Sequence, residues 1–343
     1  MEKYPAYKKG VVDCTIPPDL SHVAGKSIVI TGGTKIRLSK PIHDLILRNG
    51  LGASGMGEQA TRAFARAGAL KYRRAFVTFG DVNEAAGRKI EAQLGPLTTC
   101  LFWWDRNAQF FPCDVTDFES QREMFRQAKA NSPSKTVDVA IANAGITGAD
   151  PIFYGEDIGD EPQAPNLNIL NVNVNGVINT CKLARYYFKQ HELIPGRDRC
   201  FIVLSSAAGY GDVPGGPIYM MSKFAARALM RCLRRTTFLD GIRACALSPW
   251  YVETNLMSPS VYQHAKSKGV KFADAADAAG AMLKIVSDGS INGRCFTIVN
   301  REEAPFGYYD MDVDDYPDGS RADEQQNILL ATSQRIQVPP ANQ

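Results

Sequence analysis

The chain has 343 residues, 45% of them hydrophobic and 22% charged, with a formal net charge of +3, which gives a globular protein room for a sizeable core and excludes the strongly basic surface that nucleic acid or an anionic membrane would need. Its eight cysteines are scattered without C-x-x-C pairs, so neither a disulfide framework nor a metal site is expected. No signal-peptide core and no run of about 18 apolar residues is present, so the expectation is a soluble, cytoplasmic protein without a membrane partner.

After a leader at residues 1–24, the apolar run Ser27–Thr31 predicts a buried strand that ends in Gly32-Gly33. The segment Ala53-Ser-Gly-Met-Gly57 reads as the second half of a glycine turn, opening a helix over Gly57–Ala67. Between the halves lie nineteen residues, Thr34 to Gly52, that match neither. Without them the chain reads T-G-G-A-S-G-M-G, a spacing that lets N–H groups at a helix N-terminus approach a pyrophosphate. The nineteen residues are either a genuine insertion forming a flap or an untranslated segment carried into the reading frame. The whole number of codons and the restored turn favour the second.

Further strands are predicted at Ala75–Phe79, Ala108–Cys113, Val137–Ala142, Cys200–Ser205, Ile242–Leu247 and Cys295–Val299. Helical periodicity marks Asn83–Gln93, Asp117–Ala130, Asn168–His191, Pro217–Phe238 and Ala273–Ser287. About seven apolar strands alternating with helices predict an α/β fold, a doubly wound parallel sheet covered on both faces. One domain is read over 25–300, with an acidic tail over 301–343. The long connection from Leu94 to Asn107, with Phe102, Trp103 and Trp104, reads as core packing or further foreign sequence. In the tail, Asp310, Asp312, Asp314, Asp315 and Asp318 fail as a calcium loop, because Asp315 replaces the sixth-position glycine and Arg321 the twelfth-position glutamate;. A solvated acidic segment is expected there.

Tyr219 and Lys223 stand four residues apart on one helix face, where a cation favours the phenolate and lowers the tyrosine pKa. Tyrosine could then exchange a proton with an alcohol or carbonyl oxygen. The same Y-x-x-x-K spacing recurs at Tyr4/Lys8 and Tyr262/Lys266, but only Tyr219 has, thirteen residues upstream, a serine at the carboxyl end of a strand. That residue, Ser206, can hydrogen-bond the same substrate oxygen.

Taken in order, Thr31-Gly32…Gly55-Met-Gly57, Asn143-Ala-Gly145, Ser206 and Tyr219-x-x-x-Lys223 resemble the short-chain dehydrogenase/reductase family over roughly Gly25 to Val299. The resemblance implies a Rossmann-like fold and NAD(P)-dependent interconversion of a secondary alcohol and a ketone, with Tyr219 as acid/base and Asn173 holding a water in the proton relay. It implies a cofactor site made by Gly32, Ser54, Gly55, Met56, Gly57, Asp81, Asp114, Val115, Asn143, Ala144, Gly145, Tyr219, Lys223, Pro249, Val252 and Thr254. Trp250 departs from the glycine usual after the proline. Asp81 would bind the ribose hydroxyls and repel a 2′-phosphate, which favours NAD over NADP, although Arg73 and Arg74 lie nearby. The lid expected at Asn255 to Phe272 suggests a mainly apolar small-molecule substrate, of the kind met in secondary metabolism; homo-oligomerisation stays open. Two alternatives are a nucleotide-sugar epimerase or dehydratase of the extended branch, and a non-catalytic nucleotide sensor if the turn is truly interrupted.

Overall fold

In the computed structural model, residues 7–33, 55–67, 75–95, 107–153, 161–193, 197–254 and 256–333 are described. The Thr34–Gly52 insertion, Ser54, Arg73, Arg74, the Phe102–Trp104 patch, Tyr4 and Asn255 lie outside them.

The strands are β1 (Ser27–Thr31), β2 (Phe76–Asp81), β3 (Ala108–Pro112), β4 (Val139–Ala142), β5 (Arg199–Leu204), β6 (Ile242–Pro249), β7 (Cys295–Ile298) and β8 (Tyr308–Asp310). They form one sheet in the order β3-β2-β1-β4-β5-β6-β7-β8. All pairings are parallel except the antiparallel pair of β7 and β8. The helices are α1 (Met56–Arg66), α2 (Glu84–Gln93), α3 (Phe118–Asn131), α4 (Asn168–Leu170, a π-helical stretch Asn171–Asn175, then Gly176–Phe188), α5 (Pro217–Leu233), α6 (Pro259–Ser267), α7 (Ala275–Ser287) and α8 (Arg321–Thr332).

Strand residues alternate between the two sides of the sheet. Ile28 and Ile30 pack with Phe64 of α1, Ile90 of α2, and Met282 and Ile285 of α7. Val29 packs on the other side with Met124 and Phe125 of α3, Leu183 of α4 and Met230 of α5. Both faces are covered, so β1, β4, β5 and β6 are buried along their whole length, which is why they read as unbroken apolar runs. Consecutive elements wind outward in opposite directions from β1 and β4, opening a crevice at the carboxyl ends of these two strands.

Two expectations need correction, and a third segment, the expected lid, gains a helix. Among the described residues the sheet has an eighth strand, β8, beyond Asn300. The acidic run is not solvated as a whole: Asp310 and Asp314 are buried, and Arg294 pairs with Asp310, Asp312 and Asp315 at 2.6–2.7 Å. The expected lid contains a helix, α6, begun by Ser258, whose hydroxyl accepts from the Val261 amide, and Pro259.

At the amino ends of the strands, Asp198 bonds Lys26 at 2.6 Å and Arg243 at 2.5 Å. Removing the carboxylate leaves two buried cations, so Asp198→Ala is expected to cost roughly 3–5 kcal/mol in urea unfolding. Burial alone would raise the Asp198 pKa, but Arg243 and Lys26 outweigh it and hold it down to about 2, from an ordinary 3.8. A depressed folded-state pKa gives stabilisation that is complete above about pH 4 and lost as the pH falls toward the folded value. The gap between parent and variant should therefore narrow over that window; equal urea midpoints at neutral pH would show that the triad contributes nothing.

Candidate functional site

The two halves of the split turn meet. Gly32 has φ of +66° and donates its amide to the Gly80 carbonyl at 2.8 Å. A Cβ on Gly57 would stand 2.0 Å from the Gly32 carbonyl oxygen and 2.5 Å from Asn143 Nδ2, and one on Gly32 would stand 2.6 Å from Ala144 Cα. The start of α1 thus lies on the end of β1 with no side chain between them. Asn143 Nδ2 donates to the Thr31 and Gly32 carbonyls at 3.2 and 2.8 Å, and the Ala144 amide donates to Thr31 Oγ1 at 3.4 Å. These contacts tie the end of β4 to the same turn. Gly55 is the N-cap of α1 and Met56 its first residue, so α1 presents its free amides at the crevice.

At the far side of the crevice, Ser206 follows the carboxyl end of β5 and caps the turn Ala207–Gly209, accepting from the Ala208 amide at 3.2 Å. Its side chain neighbours that of Tyr219 and favours the phenolate. Tyr219 sits in the first turn of α5, which Pro217 opens in the N-terminal position that suits its fixed φ;. Lys223 Nζ lies 5.6 Å from the Tyr219 ring centroid. Among the described residues its one hydrogen-bond partner is the Leu204 carbonyl, at 3.2 Å. An ammonium has three donors, so Lys223 brings unused donor capacity to the crevice.

The expected lowering of the Tyr219 pKa is not what the geometry produces. Burial raises it, against a smaller lowering by the hydrogen bond from Ser206. Burial likewise pushes Lys223 down to about 8, because removal from water disfavours the charged ammonium.

Asn173 is set apart from its neighbours. Asn175 Nδ2 bonds Asn171 Oδ1 at 3.1 Å on the exposed face, whereas Asn173 is buried in the π-helical stretch, a distortion met often at functional sites. Its Oδ1 accepts from the Ile146 amide at 2.8 Å, and its Nδ2 donates to the Ile146 carbonyl at 2.9 Å and to Ser222 Oγ at 3.0 Å. A Cβ on Gly145 would lie 3.4 Å from both Asn173 Oδ1 and Lys223 Nζ. Gly145, Asn173 and Lys223 therefore converge.

The remaining expected residues border this crevice less closely. Asp81 ends β2 and accepts from the Asn83 amide at 2.9 Å. Asp114 is exposed and accepts from Thr116 Oγ1 and the Thr116 amide, both at 2.8 Å. Val115 is buried against Gly176, where a Cβ would meet its Cγ2 at 2.8 Å. Pro249 ends β6, Val252 bridges to Ala273, and Thr254 Oγ1 accepts from the Leu256 amide at 3.4 Å. Trp250 needs no glycine backbone, since the non-glycine residues of positive φ among the described residues are Lys135 and Asp312. Its side chain lines a cavity of about 500 Å³ with Lys268, Val270, Lys271 and Asn300. Tyr262 packs against Phe272 at 4.5 Å between ring centroids, so its Y-x-x-x-K spacing is incidental.

One positioning residue has no local sequence signal. Buried Asp150 accepts from the Ile218 amide at 2.7 Å and from the Ile152 amide at 3.0 Å. It caps α5 from across the crevice, where the helix's own N-cap, Gly216, offers no side chain.

The comparisons with known proteins agree with this construction. The family model for short chain dehydrogenases matches residues 51–265. The chain is 32% identical over 328 residues to 5'-hydroxyaverantin dehydrogenase of Dothistroma septosporum, covering 91% of this chain and 94% of that protein. It is 28% identical over 323 residues to the 5'-hydroxyaverantin dehydrogenase of Emericella nidulans, covering 88% and 91%. The structure of a 3-ketoacyl-(acyl-carrier-protein) reductase from Brucella melitensis, complexed with NADH, superposes with a TM-score of 0.62 at 21% identity, over 80% of this chain and 97% of that one. The chain belongs to the short-chain dehydrogenase family. It is an oxidoreductase of CH–OH groups that works with a nicotinamide cofactor.

The closeness of Gly57 to Gly32 sets a test of the turn. Gly57→Ala forces its methyl into the Gly32 carbonyl and should lower the unfolding free energy by roughly 1–3 kcal/mol, read in urea unfolding. An unchanged midpoint would mean that the two halves do not touch.

Proposed function

We propose that the protein interconverts an apolar secondary alcohol and the corresponding ketone, with NAD as cofactor and Tyr219 as acid/base. The observation that carries this reading is the convergence of Ser206, Tyr219 and the buried Lys223 at the carboxyl ends of the strands, with Lys223 Nζ 5.6 Å from the Tyr219 ring centroid and bonded to the Leu204 carbonyl at 3.2 Å. Support comes also from two relatives named as dehydrogenases of a hydroxylated compound.

The residues present suit a dinucleotide. The glycine contacts leave α1's first amides free of side-chain cover, and Lys223 retains donors for a ribose hydroxyl. Gly32, Gly55, Met56 and Gly57 would hold the diphosphate, with Ser54 assigned beside them by sequence. Asp81 would take the ribose hydroxyls and disfavour a 2′-phosphate, which is the ground for NAD over NADP. Asp114 and Val115 would border the adenine, Asn143, Ala144 and Gly145 the adenosine side, and Pro249, Val252 and Thr254 the carboxamide. A bound nicotinamide supplies the hydride acceptor in oxidation and the donor in reduction.

Ser206 holds the substrate oxygen through its hydroxyl. In oxidation the phenol of Tyr219 first gives up its own proton along the path through Lys223. The resulting phenolate takes the alcohol's O–H proton while the carbinol carbon loses hydride to the nicotinamide, so a ketone remains. In reduction the neutral phenol donates its proton to the carbonyl oxygen, which suits the raised pKa. Lys223 acts on the charge of the phenol, and Asn173 fixes the backbone at Ile146 and supports the proton path through Lys223.

The test begins with NADH titration followed by fluorescence, using the full chain and a form lacking Thr34–Gly52. Oxidation of 1-phenylethanol, 1-indanol and 1-tetralol by NAD follows, read at the absorbance of NADH. Tyr219→Phe is expected to bind NADH with affinity near the parent's and to lose at least about 10²-fold in kcat, the scale of general acid–base catalysis. Absence of NADH binding in both forms, or a Tyr219→Phe variant with the parent's kcat, would overturn the reading.

A further inference from the structure

The segment that follows β7 lies outside the residues matched by the family model, yet it reaches back to the turn that carries Ser206. Arg227 stands one helical turn beyond Lys223 on α5. Its Nη1 donates to the Gly209 carbonyl at 2.9 Å, its Nε to Asp314 Oδ1 at 2.7 Å, and its Nη2 to the Val313 carbonyl at 2.7 Å. One planar guanidinium thus holds the end of the Ser206 turn with one donor and the carboxy-terminal segment with two others.

Both ends of this link are fixed. A Cβ on Gly209 would meet Ser205 Oγ at 2.3 Å and the Lys223 carbonyl oxygen at 2.9 Å, so the turn rests directly on α5 beside Lys223. Ser205 Oγ donates to that same carbonyl at 2.8 Å. On the other side, Asp314 is 4% exposed, and Arg234 donates to its backbone carbonyl at 2.8 Å. Arg294 anchors the flanking Asp310, Asp312 and Asp315. The segment is therefore a rigid brace.

We propose that Arg227 and Asp314 are positioning residues: through the Gly209 carbonyl, the carboxy-terminal segment holds the turn that aims the Ser206 hydroxyl at Tyr219 and at the substrate oxygen. The proposal rests on the role assigned to Ser206 above. The fork geometry is what matters, because lysine keeps the charge but presents a single point that cannot grip both sides. A misplacement of about 1 Å can cost on the order of 10²-fold in rate.

The test uses Arg227→Lys, Asp314→Asn, Ser206→Ala and the double variants of Ser206→Ala with each. Activity is measured with whichever of the three alcohols above turns over fastest. Backbone amide exchange is followed by mass spectrometry over 207–211, where the Gly209, Tyr210 and Gly211 amides donate to the Ser206 and Ala207 carbonyls at 2.8–3.1 Å. Arg227→Lys and Asp314→Asn are expected to lower kcat about tenfold with little change in KM, and to speed exchange in 207–211 but not in β4. Adding either to Ser206→Ala should cost nothing further, because a residue that acts through Ser206 has no second route. Unchanged kcat, unchanged exchange, or an equal loss in the Ser206→Ala background would overturn the proposal. So would failure of both single variants to fold, which would make the link a folding element. A Ser206→Ala enzyme with full kcat would sink the role of Ser206, and this proposal with it. An impaired Ser206→Ala beside an unimpaired Arg227→Lys would sink this proposal alone.

Discussion

The apposition of Gly57 on the Gly32 carbonyl fixes the geometry on which the crevice depends. It sets the start of α1 on the end of β1, where any side chain would separate them. Asn143 then uses one amide group to bind both Thr31 and Gly32, joining β4 to the same point. Three elements meet there through backbone, and the helix amides face outward as a result. The binding capacity of the turn is therefore a consequence of missing side chains, and it could not be built from residues that carry a Cβ.

Burial acts on Tyr219 and Lys223 in opposite directions. It raises the phenol of Tyr219 and lowers the ammonium of Lys223, so both groups are driven toward their neutral forms. The i, i+4 spacing on α5 had suggested that the cation would dominate. With the ammonium 5.6 Å from the ring centroid, burial of the phenol still sets the direction of its shift. The protons in this site are consequently held by a balance of desolvation and hydrogen bonding, and Ser206, which lowers the Tyr219 pKa against burial, is part of that balance. This makes the placement of the Ser206 turn an electrostatic matter as much as a steric one.

Much of this was legible in the sequence, and the reasons are local. Strands covered on both faces leave apolar runs, so β1 through β7 were found within a few residues. Ser206, Tyr219 and Lys223 were separated from chance copies by their place after a strand. What escaped depends on partners distant in the chain. Asp310 and Asp314 read as solvated because Arg294 and Arg227 are invisible to a local reading. Asp150 caps an amide 68 residues away, at Ile218. The π-helical stretch leaves no mark in Asn171-Val-Asn-Val-Asn175, whose alternation suits no helix in particular. The α6 helix was different: Ser258-Pro259 is a start signal, and the expectation of a lid passed over it.

The family match begins at residue 51, two residues before the second half of the turn, and so omits β1. The sheet cannot dispense with that strand, since β1 pairs with β2 on one side and β4 on the other. Without it the outward winding on either side would have no centre. β1 is therefore the strand on which the matched strands of this sheet are centred. Among the described residues the turn's contacts are made on both sides of the interval between Gly33 and Gly55: Gly33 lies on Phe79, where a Cβ would stand 2.6 Å from the phenylalanine Cβ, and Gly57 lies on Gly32. A Cβ at Gly32, Gly33 or Gly57 would stand within 2.6 Å of its nearest neighbour, so the turn closes as it does because those three side chains are missing.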